Sequence, residues 1–556
     1  MFISVVLNTE YWDYASRTKW YLKNLLHCKE NNWILITHEY MGKHFEEFQN
    51  EVTDRFFREF EMRRFSIDEV REVEQYFLPD SLFDSYEKEC GSRTQALISL
   101  SKNGNDKIES TLRNIINQAL LKHPGEKIEA FFHCLESFEF MRNICKEYNA
   151  PLINYSFSSI RMPHGYMQTL YHTSFYGGSI YTSEECKQRY NVFLSEGDNS
   201  LPVFTNQELI ALLGKERTLP LIPLIDYTPQ YEMGICGESF VILPPSFNNP
   251  VYTDDDIFYE CNKLFSKDSV TLRHHAAQLD MMRVDRSVYH NDPAAFILSC
   301  KRLVGVRSQI MLKVLLWKRP AIMKKETTCF SYMCSKDYMS NEVADLKALN
   351  YYLFGFLIPS GLMFSRDYWM WRLTKPQETE IYRKHLNFIL NELRIPNDIL
   401  EISNEKERYQ LLLKARNVDE QLYEDLCGNK KPAKVDFDAA ISKFSLHTNN
   451  GKKDYWRLNE VRSDYNISKI EIKNDGISSI DFYPLDDVAG GCMLESVMIN
   501  NKAVSLDSLA GYKPGFKYLP KVTGCYSIPI NDNSDKIEVT CIWKYKTTKD
   551  FLNSIE

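Results

Sequence analysis

Two short stretches carry residue types suited to holding an anion. In VTLRHHAAQ (270–278), Arg273, His274 and His275 follow the apolar run Val270–Leu272. In CKRLVGVRSQIMLK (300–313), Arg307, Ser308 and Gln309 follow Leu303–Val306 and precede an apolar, helix-like run. If both runs are strands of an open α/β sheet, these residues fall at carboxyl strand ends, where such sheets bind ligands. Backbone N–H groups at the start of the following helix, with the Ser308 hydroxyl, would form an anion site. Arg273 and Arg307 would add charge-assisted hydrogen bonds to a phosphate. The plainer alternative makes Ser308 an N-cap and the histidines a satisfied strand end. Recurrence of one pattern at two strand ends favours the anion site. The acids come from LIPLIDYTPQYEMG (221–234). Asp226 follows the apolar run Leu221–Ile225 and is expected at a strand end facing the same cleft. Glu232 competes with it, and a turn cap before Pro229 is the alternative role for Asp226.

These residues need strands and helices to hold them. The first half alternates strand-like runs (Phe2–Leu7, Trp33–Thr37, Ile128–Phe132, Pro151–Tyr155) with helix-like ones (Phe45–Met62, Asp106–Leu121, Ser137–Tyr148). A second alternating block begins near Leu219. Its expected strands are Leu221–Ile225, Phe240–Leu243, Val270–Leu272, Leu303–Val306 and Pro320–Met323; its helices are Asp254–Phe265, Ala294–Cys300, Ile310–Lys318 and the aromatic-rich Arg366–Leu393. Such alternation predicts βαβ units and parallel sheets. The fold class is therefore α/β, with two Rossmann-like domains over 1–215 and 216–395. A charged, helical linker is expected over 396–440. Short strand-like runs between Asn, Gly, Asp and Pro clusters then predict a small antiparallel β-sandwich over 441–556.

The paired strand ends resemble the nucleotide-binding domain of the capsule-polysaccharide and Kdo transferases of bacterial surface glycan synthesis. In that family a strand ends in basic-x-His-Pro, a second strand leads through Asn-Ser-Ser into a helix containing Glu-Ala-Leu-Leu, and Gly-Lys-Pro-Val follows. Here Arg273-His274-His275-Ala276, Arg307-Ser308-Gln309 and Leu312–Ala321 take these places, with His275 on the family histidine. RMPHGYMQTLY (161–171) and the stretch 367–386 share a weaker likeness. The resemblance covers residues 1–395 at the level of fold and only the short motifs at the level of residues. Ala276 replaces the proline, Gln309 the second serine and Lys313 the glutamate.

The resemblance implies a GT-B-like glycosyltransferase that moves a sugar, with CMP-Kdo the family donor, to a bacterial surface glycan. It implies nucleotide contacts by Arg273, Arg307, Ser308, Gln309 and Lys313. Asp226 would attack the anomeric carbon, with His275 against the departing phosphate or donor carboxylate. His133, Glu136 and His164 would meet the acceptor. Because Lys313 breaks the pattern, a UDP-sugar, GDP-sugar or CDP-alditol donor is an alternative, as is a non-catalytic glycan-binding assembly protein. The partners expected are a nucleotide-sugar and a free or lipid-linked glycan, the latter met at the inner face of a membrane.

Composition bounds these readings. With 44 % hydrophobic and 26 % charged residues, the 556-residue chain is globular. A formal charge of −8 argues against a general nucleic-acid binder. Fourteen cysteines without C-x-x-C spacing indicate reduced thiols and a cytoplasmic setting. Neither the N-terminus nor the apolar 348–364, broken by Asn350, Pro359 and Gly361, reads as a membrane segment. The acids of Thr253–Asp256 read as helix capping rather than a metal site; no metal or other cofactor is expected. Tyr368, Trp369, Trp371 and Tyr382 read as helix core. Lys318, Arg319, Lys324 and Lys325 flank a strand, as a solvated edge or a diphosphate contact.

Overall fold

The computed structural model describes residues 1–7, 14–50, 65–91, 96, 99–100, 103–134, 138–161, 169–174, 182–198, 200–214, 216–237, 254–273, 293–415, 440–448, 454–461, 466–474, 476–484, 490–509, 512, 514–519 and 525–546. The first sheet contains β1 (Phe2–Val5), β2 (Ile34–His38), β3 (Gln75–Leu78), β4 (Ala130–Cys134), β5 (Leu152–Arg161) and β6 (Thr169–Ser174). Short runs such as FISV and ILITH are buried along their whole length, as strands covered on both faces must be. Alternate residues feed two cores: Phe2, Leu35, Phe132 and Ile153 pack on one face, and Ile3, Ile36, Phe131 and Leu152 on the other. The strand order is β6-β5-β4-β1-β2-β3, parallel except for β5–β6.

The second sheet comprises β7 (Tyr231–Cys236), β8 (Val270–Arg273), β9 (Cys300–Gly305) and β10 (Ala321–Ile322). All four are parallel, in the order β10-β9-β7-β8. Two expectations change here. Leu221–Ile225 is not a strand: residues Glu216–Leu224 form a 3-10 helix that packs into the core. The strand is instead Tyr231–Cys236, which alternation alone did not pick out. Phe240–Leu243 lies outside the described residues, as do 51–62 of the expected helix Phe45–Met62.

After the second sheet the chain returns to the first. β11 (Ile358–Pro359) pairs antiparallel with β6, Phe364 stacks on His27 at 3.6 Å, and Trp369 meets Phe132 edge-on at 5.3 Å. Residues 348–364 are core, as expected, and include a π-helical turn at Tyr352–Phe356. Among the described residues no helix is long and apolar enough to cross a membrane.

The stretch expected as a linker behaves differently in its first part. Ile399, Tyr409, Leu412 and Leu413 join the core around the second sheet, and so do Leu209–Leu213 from before residue 216. Arg408 donates two hydrogen bonds to Glu208, at 2.5 and 3.0 Å. Residues 397–415 thus pack as part of the body they were expected to leave. Beyond them lie two antiparallel sheets enclosing one core, the expected small β domain. In strand Asn466–Lys473 burial alternates strictly, as a half-covered sheet requires.

Candidate functional site

Three strand ends line up along one edge of the second sheet. Cys236 is in register with both Arg273 and Gly305, and Gly237 N–H donates to Arg273 O at 2.8 Å. Beyond β9 come Val306, Arg307, Ser308 and Gln309; beyond β10 come Met323, Lys324 and Lys325. Since β7 is first in the chain and lies between β8 and β9, the order reverses at β7–β9. That is the topological switch point where open α/β sheets take ligands.

The edge is cationic. Arg273 ends β8, and Arg307, Lys324 and Lys325 follow β9 and β10; the acid that comes next after the two lysines is Glu326. Glu326 accepts from the Ser183 hydroxyl at 3.0 Å and lies 4.0 Å from Lys336. Lys324 rests over the Tyr338 ring at 4.4 Å. Among the described residues, Arg273 Nε and Gln309 Oε1 are buried without a hydrogen-bond partner, an arrangement that costs free energy unless a ligand or water completes it. The loop after β9 is held from below: the Thr327 hydroxyl donates to Val306 O, and Ser331 Oγ accepts from the Thr327 and Thr328 N–H groups. The helix that follows, Ile310–Leu316, starts with Met311 N–H on Ser308 O at 3.0 Å, and no side chain caps it. Ser308 is therefore not its N-cap. Lys313 is half-buried on this helix.

The expected acids are elsewhere. Asp226 is exposed, in the turn after the 3-10 helix. Arg319 grips that turn, donating to Ile225 O at 2.5 Å and Tyr227 O at 3.1 Å. Arg319 stands two residues before β10, and Gln230, bonded to Ser299 O, directly precedes β7. Asp226 thus sits at the amino edge of the sheet. Six-residue β7 separates it from the cationic edge by roughly 17 Å at ~3.3 Å per residue. Glu232, second in β7, pairs with Arg302 at 3.2 Å and Lys301 at 3.4 Å. Arg302 is buried, so Glu232 neutralises a charge inside the fold. Burial pushes the Arg319 guanidinium below its usual range, and the Asp226 charge partly opposes this. The basic group Lys318, Arg319, Lys324 and Lys325 is therefore split: the first pair precedes β10 and the second follows it.

In the first sheet His133 is fully buried on β4, in register with Val5 and Asn154, with its ring 4.9 Å from Phe138. It has no exposed surface with which to meet an acceptor, contrary to expectation. A second buried histidine that sequence reading passed over, His38, ends β2 with Nε2 at 2.5 Å from Leu7 O. Glu136, His164, His274 and His275 lie outside the described residues. Tyr368, Trp369 and Tyr382 are core, as expected, and Trp371 packs against that core. The Thr253–Asp256 acids open the helix Asp254–Leu264. Among the described residues no group of three His, Cys, Asp or Glu side chains is placed to hold a metal.

No family model matches this chain, and no curated protein does. Among solved structures, the β-Kdo 2,7 transferase of Thermosulfurimonas dismutans KpsC is 12 % identical. That match covers 51 % of this chain and 90 % of that one, at a TM-score of 0.29. The β-Kdo 2,4 transferase of the same KpsC is 10 % identical over 43 % and 86 % of the two chains, at 0.24. Methanocaldococcus jannaschii UDP-GlcNAc 2-epimerase, in complex with UDP-GlcNAc and UDP, is 10 % identical over 63 % and 97 %, at 0.23. Likenesses this slight add no weight to either fold or function.

Proposed function

We propose that this chain is a glycosyltransferase that binds a nucleotide-sugar at the cationic edge of the second sheet and passes its sugar to a glycan. The observation that carries the reading is that Arg273, Arg307, Lys324 and Lys325 all stand along the carboxyl edge of one parallel sheet whose switch point lies between β7 and β9. There Arg273 Nε and Gln309 Oε1 are buried and lack partners among the described residues. A diphosphate or phosphodiester supplies acceptors for the cations, and a base or ribose supplies a donor for Gln309. The sugar-transfer part of the reading rests on the Arg-x-His and Arg-Ser-Gln stretches, which resemble those of capsule and Kdo transferases.

In this reading Arg273 and Arg307 neutralise the phosphate and Ser308 hydrogen-bonds it. His275, two residues beyond Arg273 in sequence, stabilises the charge that develops on the leaving phosphate, as a preorganised donor does. Lys313, on the adjoining helix, stands where the resembled family has a glutamate and adjusts which nucleotide is accepted. CMP-Kdo is the donor proposed first, and a lipid-linked glycan at the inner face of a membrane is the acceptor. The amino-edge position of Asp226 and the pairing of Glu232 remove both from the reacting centre.

A thermal-shift panel of CMP, CDP, UDP and GDP tests the reading. A nucleotide at 100 times its dissociation constant should stabilise the protein by about 2.7 kcal/mol. A flat response across the whole panel would reject nucleotide binding and, with it, transfer from a nucleotide donor.

A further inference from the structure

The first sheet carries a cavity of a different chemical character. It is an open pocket of about 400 Å³ beside β3, the last strand of its sheet, within the size range of small-molecule sites. Three rings form its walls: Tyr21, Phe45 and Phe77. Gln75 and Phe77 project from one face of β3, and the Tyr21 hydroxyl donates to Gln75 Oε1 at 2.6 Å. Gly42 lies against Phe77 so closely that a Cβ there would stand 2.7 Å from the ring. The Phe77 ring therefore packs directly on the backbone at Gly42.

The rim is charged, with acids in excess of bases. Glu39 pairs with Lys43 at 2.9 Å, and Glu46 pairs with Arg71 through both guanidinium nitrogens. Arg71 also lies over the Phe45 ring, 5.4 Å from its centre. Asp80 also pairs with Lys43 and Asp68 with Arg71, so four acids meet two bases and the rim repels an anion, in contrast with the cationic edge of the second sheet. They do present fixed acceptors and donors around an aromatic floor. A ligand matching this lining is neutral, has one apolar face to lie on a ring, and carries hydroxyls around its perimeter.

We infer that this cavity is a binding subsite for a neutral hexopyranose unit. The inference deepens the proposed function, on which its biological role rests, by giving the glycan partner a chemistry: an uncharged sugar residue held by the first sheet. The site lies over a sheet with its own core, so its occupation does not require the nucleotide.

Saturation-transfer NMR with methyl glucoside, galactoside, mannoside and N-acetylglucosaminide provides the test, on the full chain with and without the best nucleotide of the panel. At least one glycoside should receive saturation from the wild type. Phe45→Ala should weaken that glycoside by about fivefold or more through the lost ring face. The surface variant Glu46→Gln should also weaken it, and its exposed position guards against a folding defect in the first variant. No transfer to any neutral glycoside, or transfer unchanged in both variants, would overturn the inference. Binding of methyl glucuronide in preference to all four would also overturn it. Nucleotide binding without glycoside binding rejects this subsite alone; glycoside binding without nucleotide binding rejects the transferase reading alone.

Discussion

Buried polar side chains set how this protein responds to acid and to substitution. His385 accepts or donates at 2.7 Å to the Tyr368 hydroxyl. Burial, and then the nearby charges of Arg372 and Arg189, hold its pKa well below 6.5. A histidine depressed in the fold binds its proton more readily when unfolded, so its contribution is present above the unfolded pKa. That contribution is lost as pH falls below about 6.5. The urea midpoint should drop between pH 7.5 and pH 5.5, and His385→Gln should flatten part of that slope. An unchanged slope would assign the acid sensitivity to other groups. Glu208 is fully buried against Arg408. Glu208→Gln strands that guanidinium, and breaking such a pair from one side costs about 3–5 kcal/mol, readable as a lowered denaturation midpoint. That Arg273, Arg307 and Ser308 fall along one edge of the sheet was legible because charged and hydroxyl residues directly follow apolar runs. The burial of His133 was not, because a histidine at a strand end looks alike whether it faces a cleft or a core.

At the scale of elements, the misread strand has a specific cause. In LPLIPLI (219–225) the apolar residues suggest a strand, but Pro220 and Pro223 cannot donate to a ladder. The segment coils into a 3-10 helix instead. The true strand, YEMGIC, was hidden by two residues that suit only its tertiary surroundings. Glu232 answers buried Arg302, 70 positions away. Gly234 leaves room for Cys300, whose Sγ would be 2.5 Å from a Cβ at that position. Gly234→Ala should therefore cost about 1–3 kcal/mol through overpacking between β7 and β9, whereas an unchanged unfolding midpoint would show that the sheet relaxes freely. Once Tyr231–Cys236 is the strand, its direction alone moves Asp226 from the carboxyl edge to the amino edge. No local pattern could have shown that.

At the scale of the whole molecule, alternation in the sequence foretold the parallel pairing in both α/β sheets and a trailing β domain, but not the antiparallel β5–β6 pair. It missed how the chain is stitched back: β11 joining the first sheet, and residues 397–415 joining the second core. Truncation after residue 396 removes Arg408, Leu412 and Leu413, and should therefore lower stability by exposing the core they cover and leaving Glu208 without its ion pair. Truncation after residue 415 should spare that core, and equal melting temperatures for the two fragments would contradict the packing described. The two sheets offer ligands opposite chemistries, a cationic edge on one and an aromatic pocket with an acid-rich rim on the other, which suits an anionic donor and a neutral acceptor. The most direct test of that account is the dissociation constant of the best-bound nucleotide, measured by calorimetry for wild type, Arg273→Ala and Asp226→Ala. Loss of a charge-assisted bond of about 1.5–3 kcal/mol should weaken Arg273→Ala roughly tenfold or more, while Asp226→Ala, altered on the opposite edge, should bind as wild type does. Unchanged affinity in a folded Arg273→Ala, or a comparable loss in Asp226→Ala, would contradict the placement of the site.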